Sequence, residues 1–488
     1  MTSTGTETAI LSARITPKNS PRVGENDTDD EADDVTTSSS STVVGSPRVY
    51  QQKEDFAEKV GLLPKQEQKE VYIHVADEKH QLSLLVPTRD SEWIEADDIA
   101  KMGLLPYLSG MRAVASIAIQ VYHICKPGSR SVSYFGSIAL STHFVQGGFL
   151  ITGALLGLQK SNAGKGLLRQ YTHVPRFFFG RWVRLYPALL AMIVITSIWW
   201  QIRHNFASHL AKAVFRALFK IQHTKILDIP DDPPNPFAHT WFLDVQEAFY
   251  LFWALALPFI AMTGTKARML IVICFFAFSL NSRMKVDKFN ASLTINMWKM
   301  IAGASLQLLP IPRGFIQRNA KSIAAGTLIA VTVWGSSAYL AENFNDRQHR
   351  IHGDIAGVIA TFVVILAAMA SASENKQSSL QQQISTNNTV SLQERIWERV
   401  SPLQLLNAKW LDFIGRISYS WYLWQIPVMH YEDHFMAGYR AIGSTSEAFI
   451  IAMMSTLWFE EPIRDWYRSS LKRAKMAALI AKQESVRA

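Results

Sequence analysis

Residues 103–126 read GLLPYLSGMRAVASIAIQVYHICK, an apolar run long enough to cross a ~30 Å hydrocarbon core but interrupted by Arg112 and His123. An arginine at the centre of a span costs about 2.5–3.5 kcal/mol on insertion scales, so such a helix must turn its polar residues toward a partner or a water-filled cavity. Eleven residues at ~100° each bring a helix to within about 20° of its starting direction. Arg112 and His123 therefore share one face, about 16 Å apart along the axis. A helix that offers two ionisable groups to a bundle interior at two depths points to an all-α integral membrane protein.

The rest of the chain reads the same way. Its 488 residues are 48% apolar and only 18% charged, against ~25% charged in an ordinary soluble domain. Apolar blocks fall at 104–124, 135–158, 182–202, 241–262, 268–281, 293–310, 322–341, 353–372, 411–431 and 443–460. These predict about ten transmembrane helices. The two cysteines, Cys125 and Cys274, lie in or beside such blocks, which excludes a disulfide framework and a zinc module. No metal is expected.

Residues 1–100 carry 10 Lys+Arg against 20 Asp+Glu, although the whole chain is formally +9. The surplus of cations sits in short connections between apolar blocks, the positive-inside pattern of a membrane protein rather than a nucleic-acid surface. The first 20 residues lack the apolar core of a signal peptide, so the first span is expected to direct insertion. Residues 1–60, rich in Ser, Thr, Asp and Glu, are expected to be disordered. Alternation over 70–87 suggests a short hairpin, and Ser91–Met102 an acidic helix-like approach to the membrane. Three parts result: a largely disordered acidic cytoplasmic tail (1–100), a membrane domain (101–470) and a basic cytoplasmic tail (471–488).

Orientation follows from the connections. Gln159–Arg181 carries Lys160, Lys165, Arg169, Arg176 and Arg181 without an acid, Arg313, Arg318 and Lys321 populate the sixth connection, and Arg464, Arg468, Lys472, Arg473, Lys475 and Lys482 follow the last span. An even number of spans with both termini in the cytoplasm satisfies all of these. The polar stretch Ser373–Lys409 then becomes a flexible cytoplasmic loop. An endomembrane or the plasma membrane is the expected location.

Five segments in order resemble the acyltransferase type 3 family of multi-pass membrane acyltransferases. LPYLSGMR (105–112) followed by His123 is similar to the family's opening arginine and histidine, with Ala113 where a glycine is usual. GGFLITG (147–153) resembles its Ser-Gly-Phe-Leu-Ile stretch, and FFFGRWVRLYP (177–187) its arginine-rich entry to the third helix, with Gly180 replacing one arginine. HTWFLDVQEAFY (239–250) resembles the Trp-Ser-Val-Glu-Glu-x-Phe-Tyr block, keeping one acid as Glu247. GRISYSWYLW (415–424) is close to the Gly-x-x-Ser-Tyr-x-x-Tyr-Leu-Trp block, with Gln425 where a histidine is frequent. The similarity covers about residues 104–470.

The resemblance implies transfer of an acyl group, most simply acetyl or another short chain, from acyl-CoA as co-substrate to a hydroxyl of a small-molecule, lipid or sugar acceptor, with no further cofactor. His123 would be the general base and Arg112 would orient the donor or stabilise the tetrahedral centre. Arg181 and Arg184, three residues apart, are either positive-inside anchors or contacts for the phosphates of acyl-CoA. Glu247 is expected either to pair with Arg112 in the interior or to stand at a wet rim. Trp241, Tyr250, Tyr422 and Trp424 are candidates for lining an acyl or acceptor channel, or for packing among membrane lipids. A proton-coupled membrane transporter would also carry Arg, His and Glu in its helices, but no internal repeat is visible. A membrane-bound O-acyltransferase of the unrelated histidine-dependent class would carry its histidine in a later helix.

Overall fold

The computed structural model describes residues 93–94, 105–124, 130–160, 171–172, 174–204, 207–222, 235–286, 292–309, 311–312, 322–329, 346–384, 405–432 and 440–487. The helices among them are α1 (Leu105–Ile124), α2 (Arg130–Lys160), α3 (Val174–His204), α4 (Ala207–Leu218), α5 (Trp241–Met262), α6 (Thr265–Met284), α7 (Leu293–Leu308), α8 (Asp346–Ile384), α9 (Lys409–Glu432), α10 (Arg440–Ser455) and α11 (Glu461–Arg487). A short 3-10 turn, Ala238–Thr240, precedes α5, and a π-helical turn, Thr456–Glu460, joins α10 to α11. The expected disordered tail (1–60) and hairpin (70–87) lie outside the described residues.

Among the described residues five segments are long and apolar enough to cross a membrane, Tyr134–Gln159, Val174–Ile202, Ala238–Met262, Thr265–Met284 and Arg350–Met369, consistent with an integral membrane protein. Helix α1 falls short of that measure because Ser109, Arg112, Ser116, Gln120 and His123 dilute its apolar content.

Several expectations are corrected. Trp93–Ile94, read as part of a helix-like stretch, is a strand, β1, paired antiparallel with β2 (Ile311–Pro312) in the register Trp93↔Pro312. A bulky aromatic and a β-branched residue suit a pleated edge, where proline's missing N–H costs least. The helix ending the eighth apolar block does not stop near 372 but continues to Ile384, into the stretch expected to be a loop. The basic segment after 470, for which the sequence reading assigns no secondary structure, is helical, part of the 27-residue α11. Both segments are polar yet contain few helix breakers, so a helix begun in an apolar block propagates cheaply beyond it.

Helix α2 lies at the centre, packed against α1, α7 and α8, and α9 runs beside α1. The α1–α9 seam depends on missing side chains: a Cβ on Gly110 would overlap the Leu406 carbonyl, and one on Gly415 the Ser109 carbonyl. Small residues allow helix backbones to approach this closely in a lipid environment. Phe144, Phe249, Trp253, Met300 and Leu423 are fully buried in one apolar cluster, whereas Leu108, Trp298, Ile365 and Met369 belong to a second.

A buried polar group ties this core together. Asp354 of α8 accepts Lys299 Nζ of α7 at 2.7 Å, Arg283 Nε of α6 at 3.1 Å and Ser141 Oγ of α2 at 3.2 Å. All four side chains are buried. One carboxylate thus anchors three other helices.

The chain between α3 and α5 positions the site. Helices α3 and α5 are antiparallel, because Tyr171, just before α3, donates to the Leu255 carbonyl at 3.0 Å while Arg181 reaches Glu247. Glu247 is only about 9 Å from the start of α5, whereas Arg181 is about 34 Å from the far end of α3. Helix α5 therefore begins well short of the far end of α3, and α4 returns the chain to that level. Consistent with this, Tyr186 donates to the Leu218 carbonyl at 3.4 Å. A helix that returns part-way is tolerated at membrane depth where it is buried in protein or lines a cavity.

Candidate active site

Helix α4 ends in a cap that sets up the site. Ile221 N–H donates to the Arg216 carbonyl at 3.0 Å across Lys220, whose φ is 54°. This is the six-to-one bond of a Schellman turn, with lysine where glycine is usual. A lysine in the left-handed region is strained by roughly 1–2 kcal/mol, and its ammonium explains the choice: Nζ lies 3.3 Å from Glu247 Oε1 and 4.9 Å from the centre of the Tyr186 ring. Two further contacts fix the turn, since Arg216 donates to the Gln222 carbonyl at 2.9 Å and Gln222 N–H donates to Asp244.

Glu247 is the centre of the cluster. Arg181 Nε donates to its Oε1 at 2.6 Å, and the Arg181 guanidinium lies 4.2 Å from the centre of the Tyr250 ring. Tyr250 is buried. Its hydroxyl approaches Gly147 of α2 so closely that a Cβ there would stand 2.8 Å from it. Arg112 is half-buried on α1 within electrostatic reach of Tyr250, Arg181 and Arg184. Among the described residues it has no carboxylate partner. The expected Arg112–Glu247 pair is therefore corrected, because Glu247 is taken by Arg181 and Lys220, which approach it from α3 and from the α4 turn. Arg181, one of the expected phosphate contacts, has its Nε committed to this pair.

Arg184 is exposed and in electrostatic range of Arg112, Arg181, Arg464 and Glu460. Glu460, in the π turn, accepts hydrogen bonds from Ser420 of α9 and from Thr456 at 3.2 Å. Trp241 opens α5, with its ring 6.5 Å from that of Phe144. Tyr422 donates to the His239 carbonyl, and its ring lies 5.8 Å from Phe242. Trp424 is buried in the apolar cluster and belongs to the packed core. His123 stands in the last turn of α1 with its ring 5.1 Å from Tyr122. The structure thus brings together Arg112, Arg181, Arg184, Glu247 and Tyr250, and it leaves His123 about 16 Å along α1 from Arg112.

Two participants were not anticipated, Lys220 and His143. Lys220 lies between apolar blocks and carries no spacing signal. His143 sits inside the second block, where a histidine in a span is itself a functional pointer. Its Nε2 is 3.4 Å from Ser116 Oγ, its ring lies 5.9 Å from Phe242, and it feels the charge of Arg112. Among the described residues no three His, Cys, Asp or Glu side chains converge at metal-ligand spacing.

A partly buried, cation-rich cluster between helices, with one arginine free of a carboxylate among the described residues, suits a reaction that develops negative charge. Residues 105–459 match the acyltransferase domain family, acyltransferase 3, and the chain belongs to that family. It is similar to the peptidoglycan O-acetyltransferase OatA of Listeria monocytogenes, with 24% identity over 386 residues that cover 74% of this chain and 56% of that protein. It is also similar to the O-acetyltransferase OatA of Staphylococcus aureus, with 29% identity over 162 residues that cover 32% of this chain and 25% of that protein. The chain thus spans less than two thirds of the length of these relatives. No solved structure matches it.

Proposed function

We propose that this chain is a membrane-bound O-acyltransferase that moves an acetyl or other short acyl group from acyl-CoA to a hydroxyl of a small-molecule, lipid or sugar acceptor. The observation that carries this reading is the family match over residues 105–459, the stretch that supplies Arg112, His123, Arg181, Glu247 and Tyr250. The names of the relatives, both O-acetyltransferases, favour acetyl among the acyl groups.

In this reading about ten helices span the membrane, with both termini cytoplasmic, as the basic second connection requires. Acyl-CoA enters from the cytoplasmic side, where Arg184 offers a guanidinium fork to its phosphates. Arg112, about 16 Å along α1 from His123, orients the donor rather than the reacting carbonyl. His123 takes the proton of the acceptor hydroxyl, the role implied for it by resemblance. Trp241 and Tyr422 line the acceptor's approach.

The test is incubation of membranes containing the full chain with radiolabelled acetyl-CoA and candidate hydroxylated acceptors. Labelled ester should form with wild type and be lost with His123→Ala and His123→Gln at equal membrane abundance. Absence of acceptor-dependent labelling and of CoA release in wild type would overturn the acyltransferase reading.

A further inference from the structure

A groove of about 300 Å³ lies between α6, α7 and α8 and shares no residue with the cluster around Glu247. Its floor includes Val272, Ile301, Ala302 and Val358, all buried, and its rim Ile273 and Ile359, 52% and 46% exposed. The one hydroxyl in its lining, that of Ser305, is turned to the Ala302 carbonyl at 2.7 Å. A void lined this way does not hold water. It runs beside α6, the least covered of the five candidate spans, so in a membrane it opens to lipid chains. The α7 residues that line it, from Ile301 to Leu309, cover about 12 Å of helix axis, close to half of a ~30 Å hydrocarbon core. The groove is therefore about one leaflet deep.

Positive charge stands at one end of it. Arg268, one turn before Val272 on α6, donates to the carbonyls of Leu308 at 3.4 Å, Ala261 at 2.9 Å and Thr263 at 3.1 Å. It thus sits where the ends of α5 and α7 meet the start of α6. Among the described residues its buried Nε has no hydrogen-bond partner. Lys266, two residues away, is exposed, and α6 contains no acid. The level of this end follows from the bond between Tyr171 and the Leu255 carbonyl, which lays the last turns of α5 beside the basic second connection. In the topology proposed above, that is the cytoplasmic side.

We propose that this groove is a lipid site, holding one chain of an anionic phospholipid of the cytoplasmic leaflet while Arg268 and Lys266 hold the headgroup. The apolar slot sets the depth of the chain. The two cations, with no acid on α6 to offset them, favour a headgroup of net negative charge over a zwitterionic one.

The experiment places the full chain in phosphatidylcholine vesicles containing a small fraction of phosphatidylserine with a photoreactive diazirine on one chain. After irradiation, labelled positions are mapped by peptide mass spectrometry. Labelling should concentrate on 272–276, 301–309 and 358–363, at least about fivefold above the exposed Leu251 and Leu255 of α5. Unlabelled phosphatidylserine should compete it away, and the same amount of added phosphatidylcholine should not. Lys266→Gln, a change at an exposed residue, should lower groove labelling about fivefold through loss of one cation. Ser305→Phe fills the groove from its own wall and should abolish labelling there while leaving that of α5 unchanged. Labelling spread evenly over exposed faces, equal competition by phosphatidylcholine, or indifference to Lys266→Gln would overturn the proposal. Displacement by palmitoyl-CoA but not by phosphatidylserine would also overturn it, by giving the groove to an acyl-CoA chain. None of these readouts uses turnover, so failure of the acyltransferase reading leaves the test intact.

Discussion

Arg181 and Glu247 meet at 2.6 Å between antiparallel helices, with the guanidinium 4.2 Å from the centre of the Tyr250 ring. One arginine therefore joins α3 to α5 twice, by charge and by its flat face. Lys220 reaches the same carboxylate from the end of α4, so three segments distant in sequence are held at one oxygen.

Glu247→Gln should be strongly destabilising. Breaking a buried ion pair by removing one partner costs about 3–5 kcal/mol, and here two cations lose their acid. The expected outcome is lower abundance and earlier heat inactivation in detergent. Arg181→Lys keeps the charge but loses the planar stack and should lower activity at least about tenfold. Wild-type activity for Arg181→Lys at equal abundance would remove the stacking argument.

Lys220→Gly separates turn geometry from charge. Glycine adopts the left-handed conformation without strain, so folding should be preserved or slightly improved. Arg181 then remains the sole described cation on Glu247, and activity should drop. Lys220→Ala keeps the strain and loses the charge, so it should be the less stable variant. Melting curves of the two in one detergent check the order.

Arg112→Ala should be inactive yet no less heat-stable than wild type, because Arg112 has no acid partner among the described residues and its removal strands no carboxylate. Arg112→Lys should lose at least about tenfold in turnover, since an ammonium lacks the guanidinium fork. Destabilisation of the Ala variant equal to that of Glu247→Gln would show that the arginine has a structural partner.

Asp354→Asn leaves Lys299 and Arg283 buried without their acid and should cost about 3–5 kcal/mol. Replacing Lys299 by Met as well removes one stranded cation and should restore part of the loss. The check is the heat stability of the single and double variants. Additive losses would argue that the two side chains do not interact.

Most of the helical frame was legible because apolar content alone marks a span. The block 241–262 coincides with α5, and 104–124 differs from α1 by one residue. Helix α4 was missed because only one side of its 12 residues is apolar, so it forms no block. Arg112 and Glu247 were legible as costly residues in apolar surroundings and Arg181 as an anchor or phosphate contact at the start of a span, but the identity of each partner was not. Pairing depends on how neighbouring helices are rotated and on the level at which α5 begins, neither of which hydropathy encodes. Lys220 and His143 escaped for the same reason, since each gains its meaning from a helix far away in sequence.

The seam formed by Gly110 and Gly415 has a consequence for biogenesis. The two glycines are roughly 300 residues apart, so at 5–20 residues per second the ribosome needs on the order of 15–60 s to supply α9 after α1 has been made. In the proposed reading, with α1 as a span, its glycine face stays bare throughout that interval, whereas Arg112 gains its neighbours on α3 and α5 earlier, once residues 181–250 are made. In that reading, nascent chains that terminate before α9 are left with an uncovered glycine face on α1, the kind of defect by which quality control can recognise an unfinished membrane protein.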